Sequence, residues 1–238
     1  MRPATDGPRR GTPADFLVVG LGNPGAEYAG TRHNIGADAV ERLVDRHLGS
    51  LSVEKGLRAR VATVTIGGLR ILCSVPLTYM NESGLAVASL VRRSGILDDT
   101  EGVDPGGPEL GVPDLGGPDL GRPAGGQARR GGLHRLVVLH DELDLPSGRV
   151  KIKVGGGTAG NNGLKSIHAH LHSPDYLRVR IGIGKPPGRQ PGADYVLKRP
   201  GAAERETLSV AAEVAADAVE HIAIDGVHHA MNQINPGA

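Results

Sequence analysis

The sequence predicts an α/β fold, a single domain with a central mixed β-sheet flanked by helices. Phe16–Val19 and Arg135–His140 are apolar, β-branched runs without alternation, the pattern of strands buried on both faces of a sheet. Stretches with helical spacing follow such runs, so strands and helices interleave along the chain. At 238 residues the chain is long enough to bury one sizeable core.

Residues 1–14 are rich in Pro and Gly and read as a disordered tail, with the domain expected over 15–236. A strand at 16–21 runs into a glycine turn made by Gly20, Gly22 and Gly25. A helix is expected from about Asn34 to Leu48, because Ile35, Ala39, Leu43 and Val44 recur at helical spacing and Asn34 can cap the start. Arg58–Ile66 and Leu69–Val75 read as two strands joined at Gly67-Gly68, a hairpin signal. Pro76 ends the second, and the loop PLTYMN leads into a helix over Asn81–Arg93.

Residues 98–133 differ in character, with PELGV, PDLGG and PDLGR (from Pro108, Pro113 and Pro118) repeating Pro, acid, Leu and Gly. Prolines five apart forbid a regular helix and the glycines deny a packed core, so a flexible low-complexity insertion is expected. Beyond it, Arg135–His140 ends in Asp141-Glu142-Leu143-Asp144. Arg149–Val154 alternates, placing Lys151 and Lys153 on one face of a strand, and Leu177–Ile183 does the same for Arg178 and Arg180. Between them GGGTAGNNG opens a helix over Leu164–His172, and Ala202–Ile222 and Val227–Ile234 read as Ala-rich helices that close the fold.

The formal net charge is only +1, so no global field marks a nucleic-acid partner. The charge is uneven, however: from Asp141 to Arg199 there are ten Lys/Arg against five Asp/Glu, enough for a local basic face. The lone Cys73 excludes an intrachain disulfide and fits a reducing compartment. No apolar stretch follows Arg2, Arg9 and Arg10, and no run reaches the ~18 apolar residues of a membrane span. A soluble, cytoplasmic protein with no membrane partner is expected.

GLGNPG fits the dinucleotide fingerprint G-x-G-x-x-G directly after a strand. Pro24 and the loop AEYAGTRH interrupt the helix that should start there, and no second strand ends in an acidic residue ~20 positions on. Asn23, Asn81, Asp141 and Asn162 instead place polar side chains at strand ends, with His33 beyond the first turn. An Asp can orient an imidazole and raise its basicity, and an imidazole can take a proton from water near neutral pH. Asparagine amides can donate to a carbonyl oxygen as it gains charge without titrating themselves. No G-x-S-x-G occurs and Cys73 falls within a strand, so water activated by His33 is the simplest chemistry. Of His168, His170 and His172 only the first and last share a helix face, and with no third ligand near them they read as surface residues rather than a metal site. Lys151, Lys153, Arg178 and Arg180 bracket GGGTAGNNG and suggest phosphate contacts to a structured RNA. Aromatic residues, at 2%, are too scarce for a single-strand stacking platform.

These motifs closely resemble the bacterial peptidyl-tRNA hydrolase family. They are VVGLGNPGAEYAGTRHNIG (18–36), PLTYMNESG (76–84), LHDELDLPSGRVKIKVGGG (139–157), NNGLKSI (161–167) and LRVRIGIGKP (177–186). The resemblance implies a monomeric α/β enzyme that needs no metal or cofactor and no obligate protein partner. It implies cleavage of the ester between a peptide and the 3′ ribose of tRNA. By the same resemblance His33 is the catalytic base, Asp141 its orienting carboxylate, and Asn23 and Asn81 the amides at the substrate carbonyl and terminal ribose. Asn162 would place water and the tRNA end at the mouth, Tyr28 and Met80 would line the groove, and Lys151, Lys153 and Arg180 would clamp phosphate. The helix near Ala202–Ile222 would help form the clamp and lid. Two features depart from the family pattern: the 98–133 insertion, and Asn161 where the family usually carries His in GGGxxGHNG. They leave a non-catalytic RNA-binding relative of the same fold as the alternative reading.

Overall fold

The computed structural model describes residues 13–97 and 133–236. The expected 1–14 tail and 98–133 insertion lie outside these residues except for 13–14 and 133. Ala14 is buried with its N–H donating to the Ser94 carbonyl at 2.8 Å, and Leu133–Arg135 form a short 3-10 turn.

In chain order the strands are β1 (Phe16–Gly20), β2 (Ser52–Glu54), β3 (Ala59–Ile66), β4 (Leu69–Pro76), β5 (Leu136–Glu142), β6 (Val150–Val154) and β7 (Leu177–Gly182). The helices are α1 (Ile35–Arg46), α2 (Ser83–Ser94), α3 (Asn162–Leu171), α4 (Gly192–Val196), α5 (Ala202–Asp225) and α6 (Val227–Ile234). One seven-stranded sheet forms, in the order β2-β3-β4-β1-β5-β7-β6. The inner strands β4, β1, β5 and β7 are parallel, while β2–β3, β3–β4 and β6–β7 pair antiparallel, so the sheet is mixed as expected.

The central strands lack alternation because both of their faces are covered. Val18, Val137 and Val179 pack with Val40, Leu43, Ala212 and Ala215 of α1 and α5. Their neighbours Leu17, Val19, Leu136 and Val138 pack on the other face with Val87, Leu90, Leu164 and Ile167 of α2 and α3. Each fully buried Val or Leu contributes roughly 1.5–3 kcal/mol relative to exposure, which outweighs the low strand propensity of the flanking glycines.

Two glycine pairs shape the frame. Gly67 and Gly68 both hold positive φ (57° and 85°), the geometry of a two-residue I′ hairpin turn between β3 and β4. Gly20 and Gly36 allow α1 to lie with its backbone directly on the strand ends. A Cβ on Gly36 would stand 2.2 Å from the Leu139 carbonyl oxygen, and one on Gly20 would stand 2.3 Å from the Gly36 oxygen. The segment just ahead of α1 is thereby brought over the end of β5.

β1 sits between β4 and β5, which the chain reaches on opposite sides, so the crevice beyond its C-terminal end is a topological switch point. At the far edge, the side chain of Asn235 occupies β6 as a pairing strand would: the Ile152 N–H donates to Asn235 Oδ1 at 2.8 Å, and Asn235 Nδ2 donates to the Ile152 carbonyl at 3.0 Å.

Candidate active site

Residues from the ends of β1, β4 and β5 converge on one cavity of about 360 Å³. It is lined by Asn23, His33, Met80, Asn81, Asp141 and Asn162, with Glu142, Leu143, Thr158–Asn161, and Gly192, Ala193, Val196 and Leu197 completing the walls.

His33 stands in a 3-10 turn, Arg32–Asn34, which α1 continues. Its Nδ1 lies 2.9 Å from Asp141 Oδ2. Asp141 is the penultimate residue of β5, not a loop residue after it, and so is held by the sheet itself. The two residues are only 9% and 5% exposed, which keeps water from weakening their contact. With Nδ1 directed at the carboxylate, Nε2 is the ring nitrogen available to the cavity. The second carboxylate oxygen, Asp141 Oδ1, accepts from Asn161 Nδ2 at 3.0 Å.

Asn23 is fixed by three hydrogen bonds. Its N–H donates to Asn34 Oδ1 at 2.9 Å and its carbonyl accepts from Asn34 Nδ2 at 2.9 Å. Asn34 therefore does not cap α1 with its side chain, as its position suggested; it grips the Asn23 backbone instead. The Asn23 side-chain oxygen accepts from the Met80 N–H at 2.8 Å. This fixes the amide orientation and leaves Asn23 Nδ2, a donor, for the cavity it lines. Asn81 and Asn162 line the same cavity as exposed residues, and Asn162 Oδ1 accepts from Lys165 Nζ at 3.4 Å. Met80 is buried in the wall, whereas Tyr28 stands outside it, edge-on to Tyr79 with ring centroids 6.4 Å apart.

The basic residues divide. Lys151 pairs across the strands with Arg180 and Lys153 with Arg178, all on the face opposite Val150, Ile152 and Val179. Arg178 is only 2% exposed and does not face solvent, contrary to expectation. It donates to the carbonyls of Gly156 and Gly157 and to His168 Nε2, and so pins the glycine loop that leads to Asn161. His168 must then accept, and burial together with the Arg178 charge lowers its pKa. Arg180 forms an ion pair with Glu142 at 3.0 Å. Of the four, Lys153 is exposed, whereas Lys151 and Arg180 are half-buried.

Cys73, buried in β4, has its thiol pushed up to about 12 by burial and is no nucleophile. His140, on the opposite face of β5 from Asp141, donates from Nδ1 to the Asp141 backbone carbonyl at 2.7 Å, and burial lowers its pKa. As the partner is a carbonyl oxygen, Nδ1 carries the proton. Two wall elements had no signal in the sequence. One is α4, five residues in a Pro/Gly-rich stretch; the other is the Asn161 link to Asp141. The long α5 is packed into the core through Leu208, Ala211, Ala212 and Ala215, and α4 supplies the cavity wall in its place.

The family model described as peptidyl-tRNA hydrolase matches residues 17–100 and 128–238, and the gap between them falls in the Pro/Gly segment. A peptidyl-tRNA hydrolase of Cutibacterium acnes is 40% identical over 230 residues, covering 92% of this chain and 98% of that protein. One from Nocardia farcinica is 42% identical over 219 residues, covering 92% and 95%. The crystal structure of peptidyl-tRNA hydrolase from Acinetobacter baumannii superposes with a TM-score of 0.74 at 30% identity, covering 95% of this chain and 97% of that one. By sequence along nearly its whole length, and by fold, the chain belongs to the peptidyl-tRNA hydrolase family.

Proposed function

We propose that this protein hydrolyses the ester joining a peptide to the 3′ ribose of tRNA, with His33 as the general base. The observation that carries the reading is the 2.9 Å contact of His33 Nδ1 with Asp141 Oδ2 in a cavity that Asn23 and Asn81 also line. Asp141 holds the Nδ1–H tautomer, so Nε2 takes a proton from water as that water attacks the ester carbonyl. The resulting imidazolium is stabilised by the carboxylate and returns its proton to the departing ribose oxygen.

Charge gathers on the carbonyl oxygen as the tetrahedral intermediate forms. Asn23 Nδ2 is positioned to donate to it, since the other end of that amide is held by the Met80 N–H. A donor of this kind contributes ~3 kcal/mol to the transition state. Asn81 serves the terminal ribose, and Asn162 the water and tRNA end at the mouth. Lys151 and Lys153, with Arg180 once phosphate displaces its partner Glu142, form the phosphate-binding face.

We infer from the family resemblance alone that it acts as a monomer without an obligate protein partner. Among the described residues no helix is long and apolar enough to cross a membrane, and a tRNA substrate points to the cytoplasm. Incubation with N-acetyl-aminoacyl-tRNA tests the reading. Release of the blocked amino acid without added metal or cofactor is expected, and tRNA binding without release would establish the non-catalytic alternative.

A further inference from the structure

Asn161 occupies an unusual position between a helix and the carboxylate that orients His33. Its Oδ1 accepts from the N–H groups of Gly163 at 2.9 Å and Leu164 at 3.1 Å, capping α3. Both partners are obligate donors, so the oxygen end of the amide is assigned by the backbone and the nitrogen end must face Asp141. Asn161 Nδ2 is 3.0 Å from Asp141 Oδ1, while His33 takes Oδ2.

We propose that Asn161 is a positioning residue that sets the protonation of the His33–Asp141 pair. This rests on the reading of His33 as base. An amide N–H can only donate, so Asp141 Oδ1 must accept and cannot itself present a proton to Asn161. Oδ2 then accepts in turn, the proton between the two residues stays on His33 Nδ1, and Nε2 is kept as the lone pair. The amide also ties Asp141 to the first turn of α3, so the carboxylate is held from the sheet side by β5 and from the helix side by Asn161.

The charged neighbours are committed elsewhere. Arg32, beside His33, pairs with Glu204 of α5 at 2.5 Å. Glu142, beside Asp141, pairs with Arg180 of β7 at 3.0 Å. His140 directs Nδ1 to the Asp141 backbone, not its side chain. The amide at 161 neither gains nor loses a proton, so it steers the pair without adding an ionisation of its own.

Serine at this position retains a helix cap but is too short to reach Asp141, so Asn161→Ser separates the two roles. The expected result is a kcat lower by about tenfold with KM for N-acetyl-aminoacyl-tRNA changed by less than about twofold. With one donor gone, the Asp141 charge is less dispersed and attracts the imidazolium more strongly. The acid limb of kcat/KM should therefore move to higher pH, and so should the midpoint of the His33 ring titration followed by NMR. Asn161→Asp keeps the cap and the size but turns an acceptor toward Asp141. It should lose more activity than the serine variant and show an additional ionisation in its profile. Asn161→Ser with wild-type kcat, an unmoved acid limb and an unmoved His33 titration would overturn the proposal and leave Asn161 a helix cap alone. The NMR titration needs no substrate. Absence of turnover in the wild-type protein would therefore count against the hydrolase reading, while the titration still decides the role of Asn161.

Discussion

Replacing His33 with Ala removes the one ring whose free nitrogen faces the water, and kcat on blocked aminoacyl-tRNA should fall by about 10³-fold or more, with tRNA affinity little changed. A steady-state comparison with a direct tRNA-binding measurement checks this, and near-wild-type turnover would remove the base assignment. A second residue, on the next turn of the chain, tests the electrostatics. The Asp38 carboxyl is pushed up to about 6 from 3.8, first by burial and then by Glu41, against the opposing effect of Arg42. Because the folded-state pKa is raised, the stability it contributes is complete below about pH 3.8 and is lost as pH rises through 6. Asp38→Asn should therefore gain roughly 1–3 kcal/mol over wild type at pH 8 and almost nothing at pH 3, as read by denaturant unfolding. The buried His140 pulls stability the other way at acid pH, but it is common to both proteins and cancels in the difference. At this scale the sequence was informative about identity and poor about pairing. A His beyond a glycine turn and an Asp closing a β-branched run could be read directly. That Asn34 would grip Asn23, and Asn161 would bridge to Asp141, could not, because an asparagine beside a helix start is equally suited to capping it.

Between elements, contact geometry decides over propensity. Gly36→Ala would gain about 1 kcal/mol from helix propensity alone, but its Cβ would meet the Leu139 carbonyl oxygen at 2.2 Å. Overpacking of that kind costs roughly 1–3 kcal/mol and pushes α1 off the strand ends, so both stability and kcat should fall. Thermal unfolding and turnover measured on the same preparation check it; a stabilised, fully active variant would show that α1 has room to move. Long elements were legible because their apolar period is long enough to read: β1, β3, β4, β5 and α1 fall within a few residues of expectation. The three residues of β2 and the five of α4 were not, since neither spans enough positions to display a period. The face of Arg178 was also misjudged. Alternation placed it correctly beside Arg180, but whether that face meets solvent or the glycine loop depends on α3 and its approach, which lie outside the strand itself.

On the scale of the whole molecule, near-neutral charge conceals a polarised surface. Lys151 and Lys153 lie on the edge strand, on the same sheet face as the Glu142–Arg180 pair, and Glu142 lines the cavity. Replacing both lysines with Ala should raise KM and reduce the slope of log affinity against log salt by about 1.5, at 0.7–0.9 for each lost phosphate contact. An unchanged slope would place the tRNA contact on another face. The strand carrying these lysines is also where the sheet would otherwise lie open to a second molecule. Asn235 acts there as a stopper, its amide imitating a peptide bond opposite Ile152. Asn235→Ala would leave a bare backbone rung at the rim, and such rungs recruit foreign strands. Light scattering at rising concentration should reveal that variant forming dimers or larger species, and a particle of unchanged mass would mean the lysines alone are enough to repel a neighbour.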